Sequence, residues 1–402
     1  MTASSSERIQ IIDVLRGFTL LGIALVHFTE QFYAGVPPKI HEQFAAPHLA
    51  DQIVSAIIGI FISGKFFMIF SFLFGMSFFI QLNKSDESNF FLLRFAWRLI
   101  LLFAIGMVHH LHYRGDILTI YAVLGAGLLL AYRLPDKLLL VMALLLVFDL
   151  PALGVRLHQA IALPASKNPF QNFDQHALEL YYNTLKSGSY GEVVVANFHE
   201  LKQKFIFQVE SGRLYITLGL FLLGLYAGRK RVFEQPTLFK KLTRLGLWLL
   251  LACVVAAAVV AAVVLGAKIQ MPQMLSFAVG GLVYDAFNAA LASIYVGLIV
   301  SSFQKEKWQP RWKIFYEVGR MGLTTYLMQA AIGTTLLFSF GFGLLGEYGA
   351  AVWAPVALVV FAVQIAFSKW WMKRFQFGPM EWLWRSITYL KRQPFQKNIK
   401  TD

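Results

Sequence analysis

Asp13-Val14-Leu15-Arg16-Gly17-Phe18-Thr19-Leu20-Leu21-Gly22-Ile23-Ala24-Leu25-Val26-His27-Phe28 decides how this chain is read. It is an apolar helix with an acid and a base at one end and a histidine eleven residues after the base. Charges inside an apolar run are costly, so they are read first as functional. Asp13 and Arg16, three apart, share a helix face and are able to pair. His27 follows about 16 Å further on at 1.5 Å per residue, near the same face after about three turns.

The rest of the chain reads as a membrane scaffold around this helix. Of 402 residues, 57% are hydrophobic and 14% charged; soluble chains carry roughly a quarter charged residues, so this one has too few to cover a surface in water. Runs of about 20 apolar residues, enough to cross a bilayer, recur from end to end. The expected fold is all-α, a polytopic membrane helix bundle of about ten spans near 12–33, 52–82, 92–111, 115–132, 136–155, 211–228, 242–266, 275–302, 315–340 and 350–371. The second, with Gly59, Gly64 and Gly75, reads either as one span or as a re-entrant piece leading into one. The division expected is a five-span half over 1–155, a long outer segment over 156–210, and a second five-span half with a basic tail over 211–402.

The net charge of +14 does not mark a nucleic-acid partner, because the Lys and Arg residues lie between apolar runs and serve as a topology signal. Arg8, Arg94, Arg98, Arg133, Arg229 to Arg231 and Lys305 to Lys313 fall on one set of segments, along with Lys84 and the basic tail. Lys39, Arg114 and Lys268 are all that the alternate short loops hold. Both termini are therefore expected to be cytoplasmic, in a bacterial inner or plasma membrane. Met1 to Gln10 is short and polar, with no cleavage site after the first run, so that run reads as a retained span. Cys253, the single cysteine, lies in an apolar run and excludes a disulfide framework. In the outer segment, Phe173, Ala177, Leu178, Tyr181, Tyr182 and Leu185 fall at helical spacing, and Tyr190 to Val209 is similar. These read as amphipathic helices on the outer surface. All nine histidines precede residue 200, in or near the outer half of this topology.

Arg16 at the cytoplasmic end and His27 farther out suit a two-sided reaction. The cation would hold the phosphates of an anionic donor. The histidine would take a proton from an acceptor or itself carry the transferred group. A second cluster, His109-His110-Leu111-His112-Tyr113-Arg114-Gly115-Asp116, sits at an outer turn, where Asp116 needs a partner. Its histidines lack the further ligands a metal site requires, and no metal is expected. Asp285 and Asn288 lie mid-span, Glu317 and Arg320 form an expected ion pair, and Lys65 is a cation inside the second segment.

These residues carry a family resemblance. Leu15-Arg16-Gly17, Gly64-Lys65-Phe66 through Phe70-Ser71-Phe72-Leu73-Phe74-Gly75, Gly106-Met107-Val108-His109 and Gly115-Asp116-Ile117-Leu118 resemble the YeiB family. So do Gly319-Arg320-Met321-Gly322-Leu323-Thr324 and Gly378-Pro379-Met380-Glu381-Trp382-Leu383-Trp384-Arg385. The C-terminal part of that family is catalogued as domain-of-unknown-function family 418. The family is placed in the transmembrane acyltransferase superfamily with acyltransferase family 3, which acylates surface glycans, and heparan-alpha-glucosaminide N-acetyltransferase. The resemblance implies transfer from cytoplasmic acyl-CoA, with acetyl the expected group, to an envelope sugar, a lipid or a small molecule. In acyltransferase family 3 an arginine and a histidine with ten residues between them are both needed for activity; Arg16 and His27 match that spacing. Close relatives more often have asparagine at the positions of His27 and Thr325. Under this reading His27, His109 and Asp116 are catalytic, Arg16, Lys65 and Arg320 face the donor, and Asp13, Asp285 and Asn288 are further intramembrane polar groups. The alternatives are a transporter or channel lined by Asp116, Asp285 and histidines, or a non-catalytic membrane component.

Overall fold

The computed structural model describes residues 5–30, 32, 48–83, 89–162, 175–266 and 273–397. Phe173, Lys39, His41, Lys84, Lys167 and Lys268 lie outside the described residues. Helices account for nearly all of the rest. They run α1 (Ser5–Thr29), α2 (Leu49–Phe61), α3 (Lys65–Leu82), α4 (Asn89–His112), α5 (Leu118–Ala131), α6 (Asp136–Val147), α7 (Leu150–Ala162), α8 (Gln175–Ser187) and α9 (Tyr190–Glu210). The second half continues with α10 (Arg213–Arg229), α11 (Pro236–Gly266), α12 (Gln273–Phe303), α13 (Tyr316–Arg320), α14 (Gly322–Leu337), α15 (Ala350–Arg374) and α16 (Pro379–Thr388).

This is a polytopic helical membrane protein. Among the described residues six helical stretches are long and apolar enough to cross a bilayer, or eight if two bent pairs each count once. The remaining two expected spans are α5, of 14 residues, and α14, of 16. At 1.5 Å per residue they reach about 21 and 24 Å, short of the ~30 Å hydrocarbon core. The second apolar segment breaks between α2 and α3 at Gly64, whose φ of 86° an L side chain would resist. The bent pairs are α6 with α7, turning 46° beside Asp149, and α9 with α10, turning 69° beside Gly212.

Burial ranks the helices. In the first span 67% of the most apolar window is buried, against 11% in α11, so α1 is the central post and α11 a peripheral helix presenting Leu245, Trp248 and Val259 outward. Around α1 pack α3, α13, α14 and α15. Without a hydrophobic drive between helices in lipid, close backbone approach at small residues is a principal source of packing energy. The chain supplies it at two crossings. Gly17 of α1 lies on the Phe315 carbonyl while Gly319 of α13 lies on the Asp13 carbonyl; likewise Gly75 of α3 meets Phe221 of α10, and Gly224 of α10 meets Phe72. Two of the sequence motifs, Leu15-Arg16-Gly17 and Gly319-Arg320, are thus the two sides of one contact.

The outer segment does not merely rest on a surface. Tyr181, Tyr182, Leu185 and Val193 are buried with Phe28, Tyr113 and Phe338 in one apolar cluster. A capping box at Ser189 and Glu192 starts α9, and Asn197 then fixes it to the end of α4 by donating to the Leu111 carbonyl (3.0 Å) while accepting from Tyr181 (2.8 Å). Gly319→Ala would drive a methyl group into the Asp13 backbone. We expect it to cost about 1–3 kcal/mol, as overpacking does, read as a lowered thermal midpoint of the detergent-solubilised protein.

Candidate functional site

Arg16 and His27 line one cavity. Its volume is about 590 Å³, and it runs beside α1 between two polar ends. At the end predicted to be cytoplasmic stand Arg16, Arg98 and Arg320, with Gln81 and Glu381. At the other stand His27, Glu30, Arg114, Asp116 and Lys204, and the waist between them is aromatic, including Phe70, Phe74 and Tyr121.

The lower end is a set of fixed cations. Arg16 donates to Asp13 (2.5 Å) and to the Ser77 hydroxyl (2.9 Å), so its guanidinium is held in place rather than free to snorkel. Arg320 pairs with Glu317 (3.0 Å). Arg98 stacks on the Trp384 ring at 4.3 Å. Glu381 closes this end by accepting from the Leu323 and Thr324 backbone N–H groups (2.7 and 3.1 Å) and the Thr324 hydroxyl (2.5 Å). Those amides are the unsatisfied donors at the start of α14, where a carboxylate is favoured. Burial pushes the Glu381 carboxyl above its ordinary value, against the pull of the Thr324 hydroxyl and amide.

The upper end centres on Asp116. One oxygen takes the His109 Nδ1 hydrogen bond (2.9 Å) and the Leu118 N–H (3.0 Å). The other accepts from Lys204 Nζ (2.9 Å), the Thr119 hydroxyl (2.7 Å) and the Thr119 N–H (3.1 Å). An ionised acid at this depth is tolerable because every lone pair is used and a cation lies beside it. Since a carboxylate only accepts, His109 donates from Nδ1, and the neutral tautomer that does so has its lone pair on Nε2. That Nε2 is buried without a hydrogen-bond partner among the described residues, and so is Nδ1 of His27. The two imidazoles flank Tyr326, whose ring centroid lies 5.1 Å from that of His109 and 5.6 Å from that of His27.

The sequence-derived residues separate into two groups. Arg16, Arg320, His27 and Asp116 meet the cavity, and His109 touches it through Asp116. Lys65 does not line it: the ammonium donates to the Gly59 and Ser63 carbonyls (2.9 and 2.7 Å), closing the end of α2. Asn288 packs against Gly64. Asp285 is buried in α12 and does not line the cavity. Lys204, Arg98, Glu381 and Glu30 belong to the site and were not singled out as such from sequence. Lys204 carried no local signal, since its neighbours on the helix face, Asn197, Glu200 and Gln208, are polar too.

With this geometry in hand, known proteins were compared. The family described as Protein of unknown function (DUF418) matches residues 227–391. The Uncharacterized protein YxaH of Bacillus subtilis (strain 168) is 30% identical over 98% of both chains. The chain belongs to the YeiB/DUF418 family. Another relative, the Uncharacterized 39.9 kDa protein in amylase 3'region of Bacillus acidopullulyticus, is 25% identical over 98% of both chains. The Uncharacterized protein YeiB of Escherichia coli (strain K12) is 41% identical over 71 residues, 18% of each chain. No solved structure matches. The family match in residues 227–391 takes in α11 to α16, and so includes Arg320, Tyr326 and Glu381 but neither Arg16 nor His27.

Two outcomes test the ends of the site. Lys204→Met leaves Asp116 buried beside no cation, and breaking such a pair costs about 3–5 kcal/mol; adding Asp116→Asn should recover part of the loss, measured by thermal unfolding in detergent. For Glu381, a raised folded value means its contribution to stability is full below the ordinary glutamate value of about 4.3 and falls as pH rises through the folded one. The thermal midpoint should decline across that window, and Glu381→Gln should flatten the decline.

Proposed function

We propose that this membrane protein is an acyltransferase, taking an acyl group from acyl-CoA on the cytoplasmic side and giving it to a hydroxyl or amine near the outer side. The observation that carries the reading is the single cavity shared by Arg16 at one end and His27 at the other. Arg16, Arg98 and Arg320 suit the phosphates of the donor, since guanidinium groups pair with phosphate oxygens in fixed geometry. The aromatic waist suits the long uncharged arm between those phosphates and the thioester. His27, with a ring nitrogen unclaimed, stands where the thioester would end.

In the transfer, the acceptor oxygen or nitrogen attacks the thioester carbonyl carbon. The new C–O or C–N bond forms and the C–S bond breaks. His27 takes the acceptor's proton and returns it to the departing thiolate, which leaves as the free thiol of coenzyme A. Asp116 and Lys204 hold His109 in one tautomer beside this point, as a carboxylate orients a working imidazole in other enzymes. Acetyl-CoA is the donor to try first. No metal is needed for these steps.

A second reading, solute transport, draws on one specific feature: the breaks of both bent pairs meet where Gly212 lies on the Asp149 carboxylate. Discontinuous helices with buried charges are a transporter device. Uptake of a solute into proteoliposomes without acyl-CoA would favour it.

Labelled acetyl-CoA supplied to membranes containing the protein decides between them. His27→Ala should lower transfer by about a hundredfold or more, the usual weight of a general base. Arg16→Ala should chiefly raise the KM for acyl-CoA. Full transfer by a normally inserted His27→Ala variant would remove His27 from the mechanism. No transfer and no thermal stabilisation by acyl-CoA would sink the reading altogether.

A further inference from the structure

Beside the polar cavity, and sharing the Trp384 side of it, an apolar groove of about 610 Å³ lies between α4 and α14, floored by α16. On α4 its wall runs from Leu101 past Val108 to His112, about 16 Å at 1.5 Å per residue. That is roughly half of the ~30 Å hydrocarbon core, one leaflet deep. Leu327 and Ala331 form the facing wall, while Leu383, Trp384 and Ile387 close the lower end. Val108 is widely exposed, so the groove opens sideways toward lipid.

Its upper end differs from the rest. His109 lines the groove there and is only 7% exposed. Nδ1 is committed to Asp116, which leaves Nε2 as the ring's other nitrogen, an acceptor in the neutral tautomer, and that atom has no hydrogen-bond partner among the described residues. Neighbouring His112 is already engaged through its Nε2 with the Tyr190 hydroxyl (2.7 Å). An unmet buried acceptor is costly, and at the head of an apolar groove open to lipid it fits a ligand with a hydrocarbon body and a hydrogen-bond donor at one end.

We infer that the groove holds one hydrocarbon chain of an outer-leaflet lipid whose hydroxyl or amine head hydrogen-bonds to His109 Nε2. Only the Tyr326 ring separates that head from His27; on the acyltransferase reading the lipid is the acyl acceptor, its head passing Tyr326 to give its proton to His27, and it enters from the bilayer while the donor enters through the cavity. The acceptor role rests on the acyltransferase reading; the lipid site does not.

The test uses the full-length protein in phosphatidylethanolamine and phosphatidylglycerol vesicles doped with a diacylglycerol bearing a diazirine near the end of one chain. After illumination, mapped adducts should concentrate at the lower end of the groove, on Leu101, Leu327 and Leu383, well above those on the equally apolar outer face of α11. Ala104→Trp and Ala331→Trp, both at exposed positions of the groove, should cut groove adducts about tenfold, a change of about 1.4 kcal/mol in binding. They should leave the α11 adducts and the thermal midpoint unchanged. His109→Phe should keep the adducts but remove the preference for diacylglycerol over its methyl ether. Equal labelling of groove and α11 would overturn the proposal. Groove labelling without acetyl transfer to the diacylglycerol would keep the lipid site and reject its role as acceptor. Transfer without groove labelling would reject the site and keep the transferase.

Discussion

The structure depends on one buried carboxylate. Asp116 draws hydrogen bonds from His109 on α4, from the first amides and hydroxyl of α5, and from Lys204 on α9. The end of α4, the start of α5 and the distant α9 are thereby brought to one point at one end of the bundle. In hydrocarbon the alternative to those donors is an uncompensated charge, so the acid enforces the docking of α9 and the tautomer of His109 together. The ring geometry around Tyr326 then follows from groups that have few other places to go.

Backbone contact does at the lower end what charge does at the upper. Gly17 and Gly319 let α1 and α13 touch main chain to main chain, which brings Arg16 and Arg320 to the same mouth. Thr324 receives Glu381 from α16, tying the tail helix to the start of α14. Three separated motifs of the sequence are therefore contact partners: Arg16-Gly17, Gly319 through Thr324, and Glu381 through Trp384. Their shared location explains why each contains glycine, an ionisable side chain, or both.

Much of this was legible in the sequence because membranes punish polar groups so severely. Asp13, Arg16, His27 and Asp116 stood out against apolar neighbours, and the Arg16–Asp13 and Arg320–Glu317 pairs follow from helical spacing alone. Lys204 did not stand out, since it lies among other charged residues in a segment of ordinary polarity and only its partner 88 positions earlier gives it meaning. Arg98 was read as a topology signal because nothing local shows that Trp384 packs over it. Lys65 was read toward a ligand although it closes a helix end, a role visible only once the break at Gly64 places two carbonyls around it. The breaks at Asp149 and Gly212 were likewise hidden, because a bent span and a straight one have the same hydropathy.

The position of Lys204 also bears on how the chain is made. Ribosomal synthesis delivers Asp116 first and its cation 88 residues later. Until α9 arrives, the inserted N-terminal helices carry an acid with only neutral donors around it. The N-terminal helices therefore cannot reach their final charge balance on their own; the arrival of α9 completes it.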